Sequence, residues 1–467
     1  MTIATEQESR SRTSRVPTAG AVSSRVGVAP LLPLIVVMPF MTAPAISGHI
    51  IDIPGFRLPN IIAGVAFLVF LAKGASIPRD KLGRAAFFGF LAYAAFFAID
   101  FVRSIPHLHV LHGRFPDAIA LDVREYAQSE FIGPLLFAAS FVYVLTKLND
   151  ADKMTLTIQA IGTSLFILSC VVLTMVAYDP DAFFTANRAP MLDLTRSVLG
   201  MHYNAVGTIY AVFAPLLLFM AIKRGGFWTL GFVLALVAVL LLKSRTSMLT
   251  FAGISALTLI ALGRARILVV AAPVVLVGVL ALTGPVLIDL LSQGFTQKSG
   301  ISLWGILSGR EQAMWLPLLF EWFNDPGRLY FGEGLYGILT SNLLFNGVNF
   351  AAGQAHNFYL EFFLDNGIFL TLAFFAGLVA WLVWAYRTGR RIRSELYWVL
   401  YLCVVSFLIT GITGRRFFPD SENILMFPLL GLLFNVARLK VCEQALAARS
   451  LRAAISDDGP ARTSIAR

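Results

Sequence analysis

Apolar runs alternate with short polar connections along almost the whole chain. A helix needs about 20 apolar residues to cross the hydrocarbon of a bilayer. Runs near that length recur at about 29–47, 57–73, 85–101, 130–147, 155–177, 205–222, 227–242, 248–262, 267–288, 367–386, 396–414 and 424–437. The pattern predicts an all-α, polytopic membrane protein with about 12 transmembrane helices. Pro30, Pro33, Pro39 and Pro44 interrupt the first run, and proline disrupts a helix interior.

The connections divide by charge. Alternate ones carry Lys73, Arg79, Lys81 and Arg84; then Lys147 and Lys153; then Lys223 and Arg224; then Arg264 and Arg266; then Arg387, Arg390, Arg391 and Arg393. Lys and Arg mark the cytoplasmic side, and with twelve spans all five sets share that side with both termini. The expected organisation is a disordered cytoplasmic N-terminus (1–28), nine transmembrane helices (29–288), a long outer loop (289–356), three more helices (357–437) and a polar cytoplasmic tail (438–467), also expected to be disordered. Inside the long loop, Ser308-Gly309-Arg310-Glu311 has capping-box spacing. The run Gln312 to Phe323 then predicts an amphipathic helix on or partly in the outer face.

Composition agrees with a lipid environment. Hydrophobic residues make up 57% of the chain and charged ones 14%, against about 25% charged in soluble domains. No removable signal peptide is expected, because no short apolar segment with a cleavage site follows the Arg-rich N-terminus. The formal charge of +10 reflects the cytoplasmic bias, so no nucleic-acid partner is expected. Cys170, Cys403 and Cys442 have neither a disulfide framework nor metal-ligand spacing.

Positive charge on the outer side runs against that bias. The tight connection Lys243-Ser244-Arg245-Thr246-Ser247 puts two cations at a hairpin between apolar helices, where they need an anion, water or lipid headgroups. Snorkelling to the interface is the ordinary alternative. A guanidinium fork suits a diphosphate better than an ammonium does. Arg310 falls in the first turn of the loop helix, where free N–H groups favour an anion; taken alone, it reads as a solvated Arg or a partner of Glu311 or Asp325. His356 lies where the loop enters the next helix and can move a proton near neutral pH, although a lone His is more often structural.

Other polar groups carry less. His107, His109 and His112 suggest a metal site that no carboxylate or Cys completes, and no metal or cofactor is expected. Trp304, Trp315 and Trp322 fit sugar stacking or, more commonly, an interfacial belt. Arg415 and Arg416 either add to an anion site or pair within their own loop with Asp420 and Glu422. Glu361 either tunes His356 or meets water at the membrane edge.

In order, Arg196 with His202-Tyr203-Asn204-Ala205, Ser244-Arg245-Thr246, Ser308-Gly309-Arg310-Glu311 with Trp315, Gly332-x-Gly334, and His356-Asn357-x-x-Leu360 with Gly367 resemble the O-antigen ligase and O-antigen/exopolysaccharide polymerase superfamily. The resemblance covers roughly residues 190–415. It implies a GT-C-like, metal-independent inverting glycosyltransferase of the bacterial inner membrane with a periplasmic active site. Such an enzyme moves glycan from an undecaprenyl diphosphate carrier to a hydroxyl of a glycan or lipid A core, alongside other polysaccharide-export proteins. On this sequence, Arg245 and Arg310 would bind the diphosphate and His356 would activate the acceptor. Arg196, Asn204 and Asn357 are weaker candidates for the same pocket. The alternative is a secondary transporter or a flippase for lipid-linked glycans.

Overall fold

The computed structural model describes residues 31–47, 58–72, 77–116, 119–148, 150–185, 187–267, 314–343, 355–414, 416–420 and 422–457. Every regular element among them is helical. Nearly all of the run at 267–288, the 308–311 capping box, Arg310, Trp304 and Arg415 lie outside the described residues.

In chain order the main helices are α1 (Leu31–Val37), α2 (Leu58–Ala72), α3 (Lys81–Ser104), α4 (Val123–Lys147), α5 (Ala151–Tyr178), α6 (Ala189–Leu199) and α7 (Tyr203–Arg224). They continue with α8 (Phe227–Leu241), α9 (Arg245–Ala261), α10 (Leu316–Phe323), α11 (Pro326–Phe331), α12 (Phe358–Ile392), α13 (Glu395–Thr410) and α14 (Met426–Asp457). Among the described residues, five are long and apolar enough to cross a membrane: α3 with its continuation to Arg114, α4, α5, α7 and α12. Shorter apolar helices form from Asn60–Val69 and as α8, α9 and α13. The starts of α3 and α5 are set by side-chain caps, Asp80 accepting from the Gly83 N–H and Asp150 from the Lys153 N–H.

The bundle is built around α7, nearly all of which is buried. Small residues let helices approach closely there, as expected where lipid gives apolar side chains no reason to cluster. Gly207 of α7 meets Ser244 and Ser247, and Gly162 of α5 meets Met220 and Trp228. Buried polar side chains tie the helices through hydrogen bonds. The Ser406 hydroxyl donates to the Ala211 carbonyl (2.7 Å), and the Asn435 amide donates to the Val144 and Leu148 carbonyls (2.7 and 2.6 Å). The outward faces are apolar: Leu68, Phe88, Leu249, Phe369 and Leu372 are exposed, the inverse of a water-facing surface.

Three contacts tie together one end of the bundle. Lys223 pairs with Glu395 (2.5 Å), Arg438 with Asp80 (2.5 Å), and Gln444 donates to the Arg391 carbonyl. One end therefore gathers the basic connections. The other gathers the C-termini of α3, α8 and α13 and the N-termini of α4, α7, α9 and α12. Bonds there include Phe358 N–H to Gly411 O (2.9 Å).

Two expectations change. The tail beyond Arg438 is helical as far as Asp457, because its Ala, Leu, Glu, Gln and Arg residues favour helix despite their polarity. The span expected at 367–386 belongs to a longer element, Phe358–Ile392, which breaks at Gly367 (φ 67°, ψ −177°). The residues before the break form a separate short helix outside the long apolar segment. The loop helix is realised as α10. It buries Leu318 and Trp322 and exposes Leu316, Phe320 and Phe323, so both of its faces are apolar.

Candidate functional site

Two polar clusters occupy the non-basic end of the bundle. The first is the hairpin between α8 and α9. Lys243 adopts a left-handed conformation (φ 51°), which a non-glycine residue takes only when its surroundings impose it. Its side chain is buried and donates to the Thr185 carbonyl (2.6 Å). Burial, and then the nearby Arg188, push the ammonium below the usual lysine range. Ser244 pairs with the Ser247 hydroxyl (2.8 Å) and so does not cap α9. Arg245 opens that helix with its Nε buried and without an acceptor among the described residues. Beside the hairpin, His202 caps α7 by accepting the Asn204 N–H at Nδ1 (3.1 Å).

The second cluster surrounds the entry to α12. His356 is half-buried and left-handed (φ 53°). Asn357 caps the helix, its side-chain oxygen accepting from the Tyr359 and Leu360 N–H groups. Glu361 is buried; one oxygen accepts the Ala355 N–H (2.6 Å), and the other faces Arg416 Nε (3.8 Å). The Arg416 guanidinium lies 3.6 Å from the centre of the Tyr336 ring. Burial opposes its charge, but Tyr336, Glu361 and Asp365 outweigh that and hold its proton more tightly than usual. The Tyr336 hydroxyl donates to Glu130.

A glycine-rich strap, 332–337, locks this cluster. Gly334 N–H donates to the Asp365 carbonyl (2.8 Å), Leu335 N–H to the Asp100 carbonyl (3.0 Å) and Gly337 N–H to the Asp365 carboxylate (2.7 Å). A side chain at Gly334 would fall 2.6 Å from both the Asp100 carbonyl and the Ser104 nitrogen. Gly332-x-Gly334 is therefore a close backbone docking. Arg103 closes the strap from α3 by donating to the Gly332 carbonyl (2.7 Å) and to that of Phe331.

The α10–α11 segment caps the same end. Glu321 accepts from Ser341 (2.5 Å), Asn342 N–H and Arg328 (2.6 Å); Arg328 also meets Glu333 (2.9 Å), which pairs with His107 (2.9 Å). His107 thus contacts a carboxylate, and His112 bonds the Ile119 carbonyl at Nδ1 (2.7 Å). Trp322 is fully buried and donates to the Leu364 carbonyl, and Trp315 donates to that of Ala355 (2.8 Å). Trp322 is therefore available neither for sugar stacking nor for an interfacial belt; it packs α10 onto α12.

The predicted residues consequently separate. Arg245, Asn204 and the Lys243 hairpin form one cluster; His356, Asn357 and Arg416 form the other. Arg196 is exposed near the end of α6. Arg310 and Arg415 fall outside the described residues. Arg416 does not pair within its own loop, and Glu361 does not meet water, contrary to the simplest reading of each. Sequence reasoning missed Arg188, Tyr336 and Arg103, whose partners are distant in the chain; the left-handed Tyr336 (φ 69°) carries no signal in its residue type. Among the described residues, no group of three or more His, Cys, Asp or Glu side chains is arranged to hold a metal ion. No protein-family model matches the chain, and no curated protein matches it either.

Proposed function

We propose that this chain is a polytopic membrane glycosyltransferase, with about twelve spans, both termini cytoplasmic and its site on the periplasmic face. It takes glycan from a polyprenyl diphosphate and passes it to an acceptor hydroxyl, as a polymerase or a ligase. The observation that carries this reading is Arg245: a guanidinium with buried Nε and no carboxylate partner among the described residues, at the same end of the bundle as the His356 turn.

The chemistry needs little else. A lipid diphosphate already leaves well, so its departing charge mainly requires fixed cations in a low-dielectric site. The acceptor hydroxyl must lose a proton as it attacks the anomeric carbon, a general-base step worth about 10²–10⁴-fold; His356 takes that role. The glycosidic C–O bond to the diphosphate breaks as the new one forms, inverting the anomeric centre, and both electrons of the broken bond leave on the diphosphate oxygen. Glu361 and Arg416 hold the backbone turn from which the imidazole projects.

One observation favours transport instead. Helix α12 is broken at Gly367 beside the buried Asp365 and Asp100, and broken helices with buried acids mark many transporters. Those sites lie near the bilayer midplane. Here the backbone carbonyls of Asp100 and Asp365 accept from Leu335 and Gly334, so both acids are tied into the docking of the 332–337 strap, which favours a structural role for them over an ion path.

Deleting the gene and resolving surface glycans on gels tests the reading. Loss of long chains is expected, with single repeat units on the core for a polymerase or long chains kept on the carrier for a ligase. Unchanged glycans would sink it.

A further inference from the structure

The α10–α11 segment shows the outside what a water-facing cap would hide. Leu316, Phe320 and Phe323 recur at helical spacing along one face of α10 and are all exposed, Phe320 by 69%. Tyr330 and Phe331 of α11 are exposed as well. The other face of α10 is spent inward on Leu318 and Trp322. A helix that merely lies on a membrane keeps one strongly polar face, and α10 has none. Its only ionisable side chain, Glu321, is turned to Arg328 and Ser341.

Two observations say what covers the exposed aromatic residues. The first is continuity. The Tyr330 ring stacks on Phe369 (5.3 Å between centres), and Phe331 meets the same ring (6.4 Å). Phe369 and Leu372 are exposed on α12, a helix long and apolar enough to cross a membrane. The surface of α10–α11 therefore runs into the one that a spanning helix turns to lipid. The second is depth. About 27 Å of helix separates Phe369 from Arg387 at 1.5 Å per residue, and the hydrocarbon core is about 30 Å thick. With Arg387 among the headgroups on the basic side, Phe369 reaches the opposite edge of the hydrocarbon. Tyr330 and Phe331 are held at that level because Gly367 lets their backbone approach; a methyl group there would lie 2.5 Å from the Phe331 nitrogen and the Tyr330 carbonyl oxygen. Aromatic residues favour this depth.

We propose that α10 and α11 are seated in the membrane leaflet on the non-basic side, with Leu316, Phe320, Phe323 and Phe331 among lipid acyl chains. The exposed Asn324 and Asp325 between the two helices face the headgroups. The seat has a consequence for the polar cluster beneath it. Trp315 donates to the Ala355 carbonyl and Trp322 to that of Leu364, so a lipid-anchored helix is bonded to both flanks of the His356 turn. Nothing in this inference depends on the transferase reading.

Fluorescence quenching of the full-length protein in lipid nanodiscs tests it. A bimane label is attached at Phe320→Cys, with Cys170, Cys403 and Cys442 replaced by alanine. Leu372→Cys provides a lipid-facing reference and Asp325→Cys a water-facing one. Phospholipids brominated on their acyl chains should quench the label at position 320 as strongly as the label at position 372. Aqueous iodide should quench it far less than the label at position 325. Leu316→Cys, read in the same way, keeps the test valid if a label at position 320 unseats α10. Quenching by iodide but not by brominated lipid overturns the proposal, because the face then meets water. Protection from both quenchers overturns it too, because a protein surface, such as a second copy of this chain, then covers the face.

Discussion

The hairpin at Lys243–Arg245 and the turn at Ala355–Glu361 lie at the same end of the bundle but treat buried charge in opposite ways. Around the turn, each cation meets an acid: Arg416 faces Glu361, Arg103 lies 3.9 Å from Asp100, and Arg328 joins Glu321 and Glu333. At the hairpin, Lys243 is buried against the Thr185 carbonyl and the buried Nε of Arg245 has no acceptor among the described residues. A buried pair can offset its own desolvation, whereas a lone buried charge cannot. The first arrangement suits a framework that holds a backbone turn in a strained conformation. The second suits a binding site whose counter-charge comes from a ligand. Substitutions in the framework should therefore lower stability, and substitution of the half-exposed Arg245 should lower binding or turnover while leaving stability unchanged.

The strongest challenge to that contrast is Arg416→Gln. It removes the counter-charge facing Glu361 and the cation stacked on Tyr336, and breaking a buried pair in this way costs about 3–5 kcal/mol. A clear fall in the unfolding temperature of the detergent-solubilised protein is expected. An unchanged transition, with only turnover lost, would move Arg416 into the binding site.

Gly367→Ala should come next. A methyl group there would lie 2.5 Å from the Phe331 nitrogen and the Tyr330 carbonyl carbon, in a backbone region that only glycine adopts readily. The cost is about 1–3 kcal/mol. Faster hydrogen exchange across α11 and the 332–337 strap would report it, since their docking against the break is what the methyl disturbs. Exchange unchanged there would mean that the break is not held by this contact.

The smallest effect concerns acid. Burial alone would raise the Glu321 carboxyl, but the bonds from Ser341, Asn342 and Leu343 and the charge of Arg328 bring it below its ordinary value of 4.5. A carboxylate lowered by folding contributes stability that is complete above the unfolded value and lost as pH falls through the folded one. The α10–α11 segment should therefore hold at neutral pH and loosen below about pH 4.5, as read by hydrogen exchange. Glu321→Gln should abolish that acid dependence; its persistence would point to another carboxylate.

The helical, membrane-type character was legible because long apolar runs recur, and five of the described helices are long and apolar enough to cross a membrane; the caps at Asp80 and Asp150 that start α3 and α5 were not read from the sequence. The break at Gly367 was not legible, since it depends on the backbone of Tyr330 and Phe331 meeting it from another segment. The helical tail to Asp457 was misread because its polarity obscured its helix-forming residues. At the site, the Lys243–Arg245 hairpin could be picked out as two cations in a short connection between apolar runs. Their company could not: Lys243 reaches Thr185 across 58 residues, and Arg416 finds Tyr336 and Glu361 only through folding. The same limit turned Trp322 from a candidate sugar platform into a core residue.

The central claim is that a lipid diphosphate leaves at Arg245 while a hydroxyl attacks under His356. The most direct measurement incubates the purified chain in nanodiscs with an undecaprenyl-diphosphate-linked glycan and acceptor, and follows free undecaprenyl diphosphate. Release that accompanies glycan transfer in the wild type is predicted, reduced about 10²–10³-fold in Arg245→Ala, as for loss of one preorganised donor to a leaving charge. Intact donor moved across a vesicle membrane with no diphosphate released would contradict it.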